Sequence, residues 1–280
     1  MTVSVETAYA RCEEITRREA KNFSYGIRLL PTPKRQAMSA LYALARRIDD
    51  IGDGDAPADE KLAALDAVRA AIDGPPPSDD PVLVGVADAA RRYPIPIAAF
   101  GELIDGCERD ARGASYATFD ETVAYCRSVA GSIGRLSLGV FGSSDPDAPQ
   151  LADALGIGLQ LTNILRDIAT DRDDLGRVYL PAEDLERFGC ALDLSGPVDA
   201  IAALVAFEAQ RAEAYFDTGL GLLGLLDRRS RACVAAMAGI YHRLLRRIEA
   251  APSAVTTTRV SVPVWEKLAV AGRSLAVGTV

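Results

Sequence analysis

Apolar positions recur at intervals of three and four along nearly the whole chain, and runs of β-branched residues are short. That period belongs to amphipathic helices, each turning one face to a core. It predicts helices over 5–21, 33–53, 58–73, 80–92, 96–112, 119–141, 148–172, 197–225, 228–250 and 263–275. Proline and glycine punctuate them. Pro31 and Pro33 precede the second helix, DGPPPSDDP ends the third, YPIP starts the fifth, and GSSDPDAP separates the sixth from the seventh. No repeat of solenoid length and no long linker interrupts the pattern, so residues 1–280 read as one all-α domain.

Composition narrows the function. A hydrophobic content of 49% over 280 residues is ample for a large core. The formal net charge of -8, without a broad basic stripe, argues against a nucleic-acid partner held through phosphates. Five scattered cysteines with no CxxC pair suit a reducing cytoplasm better than a disulfide framework. The charged N-terminal segment has no apolar stretch of the signal-peptide kind. The weakly charged run between Asp217 and Asp227 is far short of the roughly 20 apolar residues of a spanning helix. Any membrane contact is therefore expected to be peripheral, at an inner membrane face. A single histidine, His242, lies beside arginines and is expected to be a plain surface residue.

Two acidic segments carry the chemistry. In YALARRIDDIGD (42–53), Tyr42, Arg46, Asp49, Asp50 and Asp53 fall on one helical face, at i, i+4, i+7, i+8 and i+11. Carboxylates at a helix C-terminal end are unfavourable, by about 0.2–0.5 kcal/mol per like-charge pair, and a solvated, frayed face would tolerate that cost. The second segment, GLQLTNILRDIATDRDDLGRVYLP (158–181), repeats the arrangement with Gln160, Asn163, Asp167 and Asp171 at i, i+3, i+7 and i+11. Two helices offering hard oxygen donors across an apolar bundle suit a divalent cation, Mg²⁺ by preference and Mn²⁺ as its substitute. Mg²⁺ held by a few carboxylates keeps positions for phosphate oxygens, which implies a diphosphate substrate, with Arg46, Arg166 and Arg177 taking its remaining charge. In an apolar bundle the rest of that substrate is hydrocarbon, and loss of diphosphate leaves an allylic carbocation. Ala130, Gly131, Ser132, Gly134 and Gly139 would open a channel for it, or serve equally for close helix packing.

These segments resemble the two signatures of the squalene/phytoene synthase family, the head-to-head prenyl transferases. The leading YxxxRxxDD and the trailing GRVYLP separate them from the DDxxD of other prenyl synthases and cyclases. The similarity runs from NFSYGIRLLP (22–31) through YCRSVAGSIG (125–134) to RVSVPVWEKL (259–268). It implies an isoprenoid-synthase helical bundle around a central apolar cavity. It also implies Mg²⁺ held by Asp49, Asp50, Asp53, Asn163, Asp167 and Asp171 around two prenyl diphosphates. Tyr42, Arg46, Arg166, Arg177, Tyr241 and Lys267 stand where the family contacts diphosphate or the intermediate. Ser24 matches a further diphosphate contact, Tyr125 and Tyr179 match tyrosines near the reacting carbons, and Phe23 and Gln160 line the site by analogy. Thr170 stands where many relatives carry Glu.

Within the family, residues 22–53 and AMAGIYHRLLRRIE (236–249) look most like the presqualene diphosphate synthases of bacterial hopanoid pathways. The expected reaction is then the coupling of two farnesyl diphosphates to presqualene diphosphate without NADPH, next to other isoprenoid-pathway enzymes. Phytoene synthase, taking two C20 chains, and dehydrosqualene or squalene synthase are the alternatives within the family. A helical assembly factor on the same fold is the alternative outside enzymes; loss of the aspartates would favour it, and none is lost.

Overall fold

The computed structural model describes residues 2–75 and 78–280; Pro76 and Pro77, in the turn expected after the third helix, lie outside the described residues. In chain order the helices are α1 (Val5–Glu19), α2 (Phe23–Ile27), α3 (Thr32–Asp53), α4 (Ala58–Asp73), α5 (Pro81–Arg92), α6 (Ala99–Ala111), α7 (Phe119–Cys126), α8 (Ser132–Phe141), α9 (Ala148–Leu175), α10 (Ala182–Arg187), α11 (Val198–Gly219), α12 (Arg228–Ala250) and α13 (Val264–Val277). No strand occurs among the described residues. No helix among them is long and apolar enough to cross a membrane.

Each long helix corresponds to an expected one, and the local chemistry of the ends explains the bounds. The Asp80 side chain caps α5, Thr118 caps α7 and Asp227 caps α12, each accepting from amides of the first turn. The expected helix over 119–141 is interrupted by one π turn, Arg127–Gly131. The expected helix over 197–225 tightens to a 3₁₀ turn over its last six residues, Leu220–Leu225. The short α2 and α10 lie outside the expected elements because five or six residues are too few to display a helical period.

The 28 residues of α9 span about 42 Å and form the axis of the bundle, packed by α8, α11, α12 and the π turn. On its far side α3 packs against α1, α5, α6 and α8. Phe100, Phe216, Leu44, Ile48, Leu136, Leu165 and Leu204 are among the largest fully buried side chains, and they draw both acidic helices onto one core. All five cysteines are free and buried, as a reducing compartment permits.

Of the two readings left open for the glycines of 129–142, Gly134 and Gly139 follow close packing. A β-carbon at Gly134 would sit 2.6 Å from the Ala152 carbonyl oxygen, and one at Gly139 would sit 2.7 Å from the Ile95 Cα. On α9, a β-carbon at Gly156 would meet the Ala130 carbonyl oxygen at 2.6 Å, where the π turn lies against the axis. Gly156→Ala is therefore expected to cost about 1–3 kcal/mol, because backbone and not a flexible side chain would have to move. Thermal denaturation measures it.

Candidate active site

The acidic ends of α3 and α9 are brought together by the segment that follows α9. Gly176 terminates the helix in the left-handed conformation, at φ 63°. The chain then returns, and the Arg177 guanidinium donates to Asp53 Oδ1 at 2.7 Å and to the Gly52 carbonyl oxygen at 2.9 Å. Arg177 thus ties the second signature to the first. Its segment is held from the other side: Thr122 Oγ1 donates to the Tyr179 carbonyl oxygen at 3.2 Å, and the Ala182 amide donates to Tyr116 O at 2.9 Å. Beneath α10, Arg211 Nη1 donates to the buried Asp184 at 2.5 Å and to Glu208 at 3.0 Å. Burial pushes the Glu208 carboxyl up to about 8.

The carboxylates divide into two groups. Asp50 pairs with Arg46 at 2.5 Å, Asp53 with Arg177, and Asp167 with both Arg166 and Arg259, the latter at 2.7 Å. Although burial opposes it, the hydrogen bonds from Arg166 and Arg259 hold Asp167 below its ordinary range. Asp49 and Asp171 have no ion-pair partner among the described residues. Burial, then the nearby Asp53, pushes Asp49 up to about 7; burial, then Asp167 and Asp53, pushes Asp171 up to about 7.

The six side chains expected as ligands lie at the facing ends of α3 and α9, with Asp50, Asp53 and Asp167 turned to arginines. Among the described residues, no three His, Cys, Asp or Glu side chains converge on one metal position. Asp50 lies at the outer margin of its face, lining a separate cleft of about 350 Å³ with Arg18 and Arg47. The donor set nevertheless fits a hard divalent ion. Asp49 and Asp171 hold oxygen charge that lacks a counter-ion, and Asn163 Oδ1 is buried with no hydrogen-bond partner while its Nδ2 donates to Gln160 Oε1 at 3.3 Å.

Beside the carboxylates opens a cleft of about 450 Å³ whose lining includes Phe23, Tyr42, Arg46, Arg166, Tyr241 and Lys267. Six side chains singled out in the sequence therefore meet there. The Phe23 and Tyr241 rings stack at 5.4 Å. Burial, then the charges of Arg166 and Lys21, lowers the Lys267 ammonium below its usual range, as expected of cations crowded around an anion site. Burial pushes the Tyr42 hydroxyl up to about 12.

Lys21 and Arg259 also line this cleft and were not singled out, because neither falls in register with an acidic helix. Ser24 is not brought there. It lines a different cleft, of about 240 Å³, with Arg17, Arg28 and Arg35, since adjacent residues of α2 point in different directions. Ser24→Ala is accordingly expected to leave kcat/KM within about twofold, a steady-state measurement that checks the placement.

A third group is aromatic. Tyr125 stacks on Tyr179 at 5.1 Å and lies 5.2 Å from Tyr116, and all three rings are buried. Tyr125 Oη donates to Asp110 Oδ2 at 2.8 Å. Burial raises Asp110 to about 6, against the pull of the Tyr125 hydrogen bond, and raises the Tyr125 hydroxyl well above its usual range. Asp110 and Tyr116 were missed because a lone acid and a lone tyrosine carry no spacing signal. His242, expected at the surface, is half-buried, with Nε2 hydrogen-bonded to Glu213 at 2.9 Å.

Comparison with known proteins gives a consistent result. The squalene/phytoene synthase family profile matches residues 16–266. The phytoene synthase of Mycobacterium bovis is 49% identical over 278 residues, covering 97% of this chain and 92% of its own. Among solved structures, a dehydrosqualene synthase in complex with ligand superposes with a TM-score of 0.88 at 28% identity, over 97% of this chain and 96% of its own. The squalene synthase HpnC from Alicyclobacillus acidocaldarius superposes with a TM-score of 0.78 at 32% identity, over 89% and 96%.

Proposed function

The chain belongs to the squalene/phytoene synthase family and is a prenyltransferase that condenses prenyl diphosphates head to head, and we propose that its substrates are two geranylgeranyl diphosphates and its product phytoene. The observation that carries the chain length is the 49% identity, along nearly the full length of both chains, to a phytoene synthase. The segments resembling presqualene diphosphate synthases support a second reading in which two farnesyl diphosphates are joined and the reaction stops at the cyclopropane.

Bound Mg²⁺, held by Asp49, Asp171, Asn163 and the carboxylates released by their arginines, would supply the charge that stabilises departing diphosphate. The protein's own groups do the rest. Arg46, Arg166, Lys267, Lys21 and Arg259 line the cleft where a diphosphate's remaining negative charge would rest. The Tyr116, Tyr125 and Tyr179 rings offer π faces to an allylic cation, and their burial keeps water from quenching it. Loss of the first diphosphate gives a C1 cation; the second substrate's C2=C3 bond attacks it, and proton loss closes a cyclopropane. Loss of the second diphosphate, ring opening and a further proton loss give the hydrocarbon, with no reductant consumed.

Incubation with C15 or C20 diphosphates and Mg²⁺, without NADPH, followed by lipid identification, tests the assignment. The C20 substrate is expected to yield a C40 hydrocarbon and to be preferred by on the order of tenfold or more in kcat/KM. A preferred C30 cyclopropyl diphosphate would overturn this chain length in favour of the second reading.

A further inference from the structure

Two of the three clustered tyrosines stand on irregular stretches of chain. Tyr116 precedes α7 and Tyr179 precedes α10, while Tyr125 lies on α7 itself. The two stretches run side by side: the Ala182 amide donates to the Tyr116 carbonyl oxygen at 2.9 Å, the Glu183 amide to the Ala117 carbonyl oxygen at 3.1 Å, and the Phe119 amide to Glu183 Oε1 at 2.8 Å. The rings differ in how they are held. Tyr125 Oη is fixed on Asp110, and Tyr179 Oη accepts from Arg177 at 3.4 Å. Tyr116 Oη is buried without a hydrogen-bond partner among the described residues, so this ring is placed by its backbone and by packing.

Arg211, on α11, reaches both stretches. Its Nη1 donates to Asp184 on α10 at 2.5 Å, and its guanidinium carbon lies 4.0 Å from the centre of the Phe119 ring at the start of α7. On its own helix it meets Glu208 at 3.0 Å and the Phe207 ring at 4.3 Å. The guanidinium is thus shared by two carboxyl groups on residues 2% exposed and by two aromatic faces, which a planar, forked cation can serve at once and a point charge cannot. Asp184 lies five residues beyond Tyr179, and Phe119 three beyond Tyr116, so a shift at Arg211 is passed to both rings.

We propose that Arg211 is a positioning residue for the tyrosine cluster: by holding α10 and the start of α7 against α11 it sets where the Tyr116, Tyr125 and Tyr179 rings stand, and through them the rate of condensation. The inference rests on the proposed use of those rings to face an allylic cation, whichever chain length is accepted. It places the effect in kcat and not in KM. Among the described residues Arg211 bonds to none of the elements that carry Arg46, Arg166 and Lys267, so binding of the diphosphates is left intact. The rings, in contrast, act on charge that develops as diphosphate departs.

Arg211→Lys keeps a cation beside Asp184 but gives up the fork and the shared stacking. With whichever prenyl diphosphate the wild type turns over, its kcat is expected to fall by about tenfold while KM stays within about twofold. Phe119→Leu, which leaves the bond to Asp184 in place, should lower kcat in the same sense and less, and it decides the matter if the lysine variant fails to fold. Lys34→Gln is the control. It loosens the bonds from α3 to the Phe141 carbonyl oxygen and to Asp227, about 22 Å along α3 from Asp49, and should leave kcat and KM within about twofold even where the melting temperature falls as far. Placement is read separately, without substrate, by replacing the nine tyrosines with 3-fluorotyrosine and assigning resonances through Tyr116→Phe and Tyr179→Phe. Both resonances should shift in Arg211→Lys and neither in Lys34→Gln. Unshifted resonances, a kcat within twofold of wild type, a rise in KM alone, or an equal loss in the control would overturn the proposal. The wild-type product tests the reaction and the substrate-free resonances test the positioning, so failure of one is distinguishable from failure of the other.

Discussion

Asp49→Asn is expected to lower turnover by about three orders of magnitude while leaving the metal-free protein as stable as before or more so. The two effects have opposite signs if, as proposed, the carboxylate serves a metal ion and not the fold. In the unfolded chain an aspartate ionises near 3.8; in the folded one Asp49 does so at about 7, owing first to burial and then to Asp53. Between those values the folded state holds a proton that the unfolded state has lost. The stabilisation is therefore complete below 3.8 and is lost as pH rises through 7. The melting temperature of the metal-free protein should consequently fall relative to that of Asp49→Asn as pH is raised from about 4 to about 8. Added Mg²⁺ should raise the melting temperature more at the upper end, where the carboxylates are already ionised. Melting curves along that pH series, with and without Mg²⁺, check both statements, and parallel curves for the two proteins would contradict them.

The second large effect is expected at Arg177. Its fork spans Asp53 and the Gly52 carbonyl, and so fixes the end of α3 against the segment after α9. Arg177→Ala should reduce kcat/KM by about a hundredfold or more, because both acidic helices lose their common tie and the site loses a cation. The loss of stability should be smaller, about 1–2 kcal/mol, since Asp53 is half exposed and water replaces the arginine there. Arg177→Lys restores the charge but cannot reach both acceptors at once, so stability should recover more than activity does. Steady-state kinetics and thermal melting of the two variants separate charge from geometry.

The long helices and acidic faces were legible from periodicity, and Phe23, Tyr125, Tyr179, Tyr241 and Lys267 from the resemblance to the family's motifs. The long helices and the two acidic faces were readable because one side chain in every three or four repeats a property over many turns. Elements shorter than two turns, α2 and α10, had no room to repeat anything. Residues reaching the site from outside a periodic face were likewise hidden: Lys21, Arg259, Asp110 and Tyr116 come from four separate stretches and meet only through the fold. Ser24 shows the converse, since its motif neighbour Phe23 faces the cleft while Ser24, one position on, faces another. The glycines of residues 129–142 read equally well as channel or as packing; the close backbone approaches at Gly134 and Gly139, at 2.6 and 2.7 Å, distinguish them. The pairing of Asp50, Asp53 and Asp167 with arginines was also beyond sequence, because helical spacing fixes a face but not the direction in which a carboxylate turns on it.

The proposed reaction requires the two acidic segments to hold divalent metal jointly around a diphosphate. Manganese titration followed by electron paramagnetic resonance, with inorganic diphosphate present, tests it without recourse to turnover. Wild type should bind Mn²⁺ more tightly with diphosphate than without it, and Asp49→Asn on α3 and Asp171→Asn on α9 should each weaken that binding by on the order of tenfold or more. Equal Mn²⁺ affinity in all three proteins would contradict the claim.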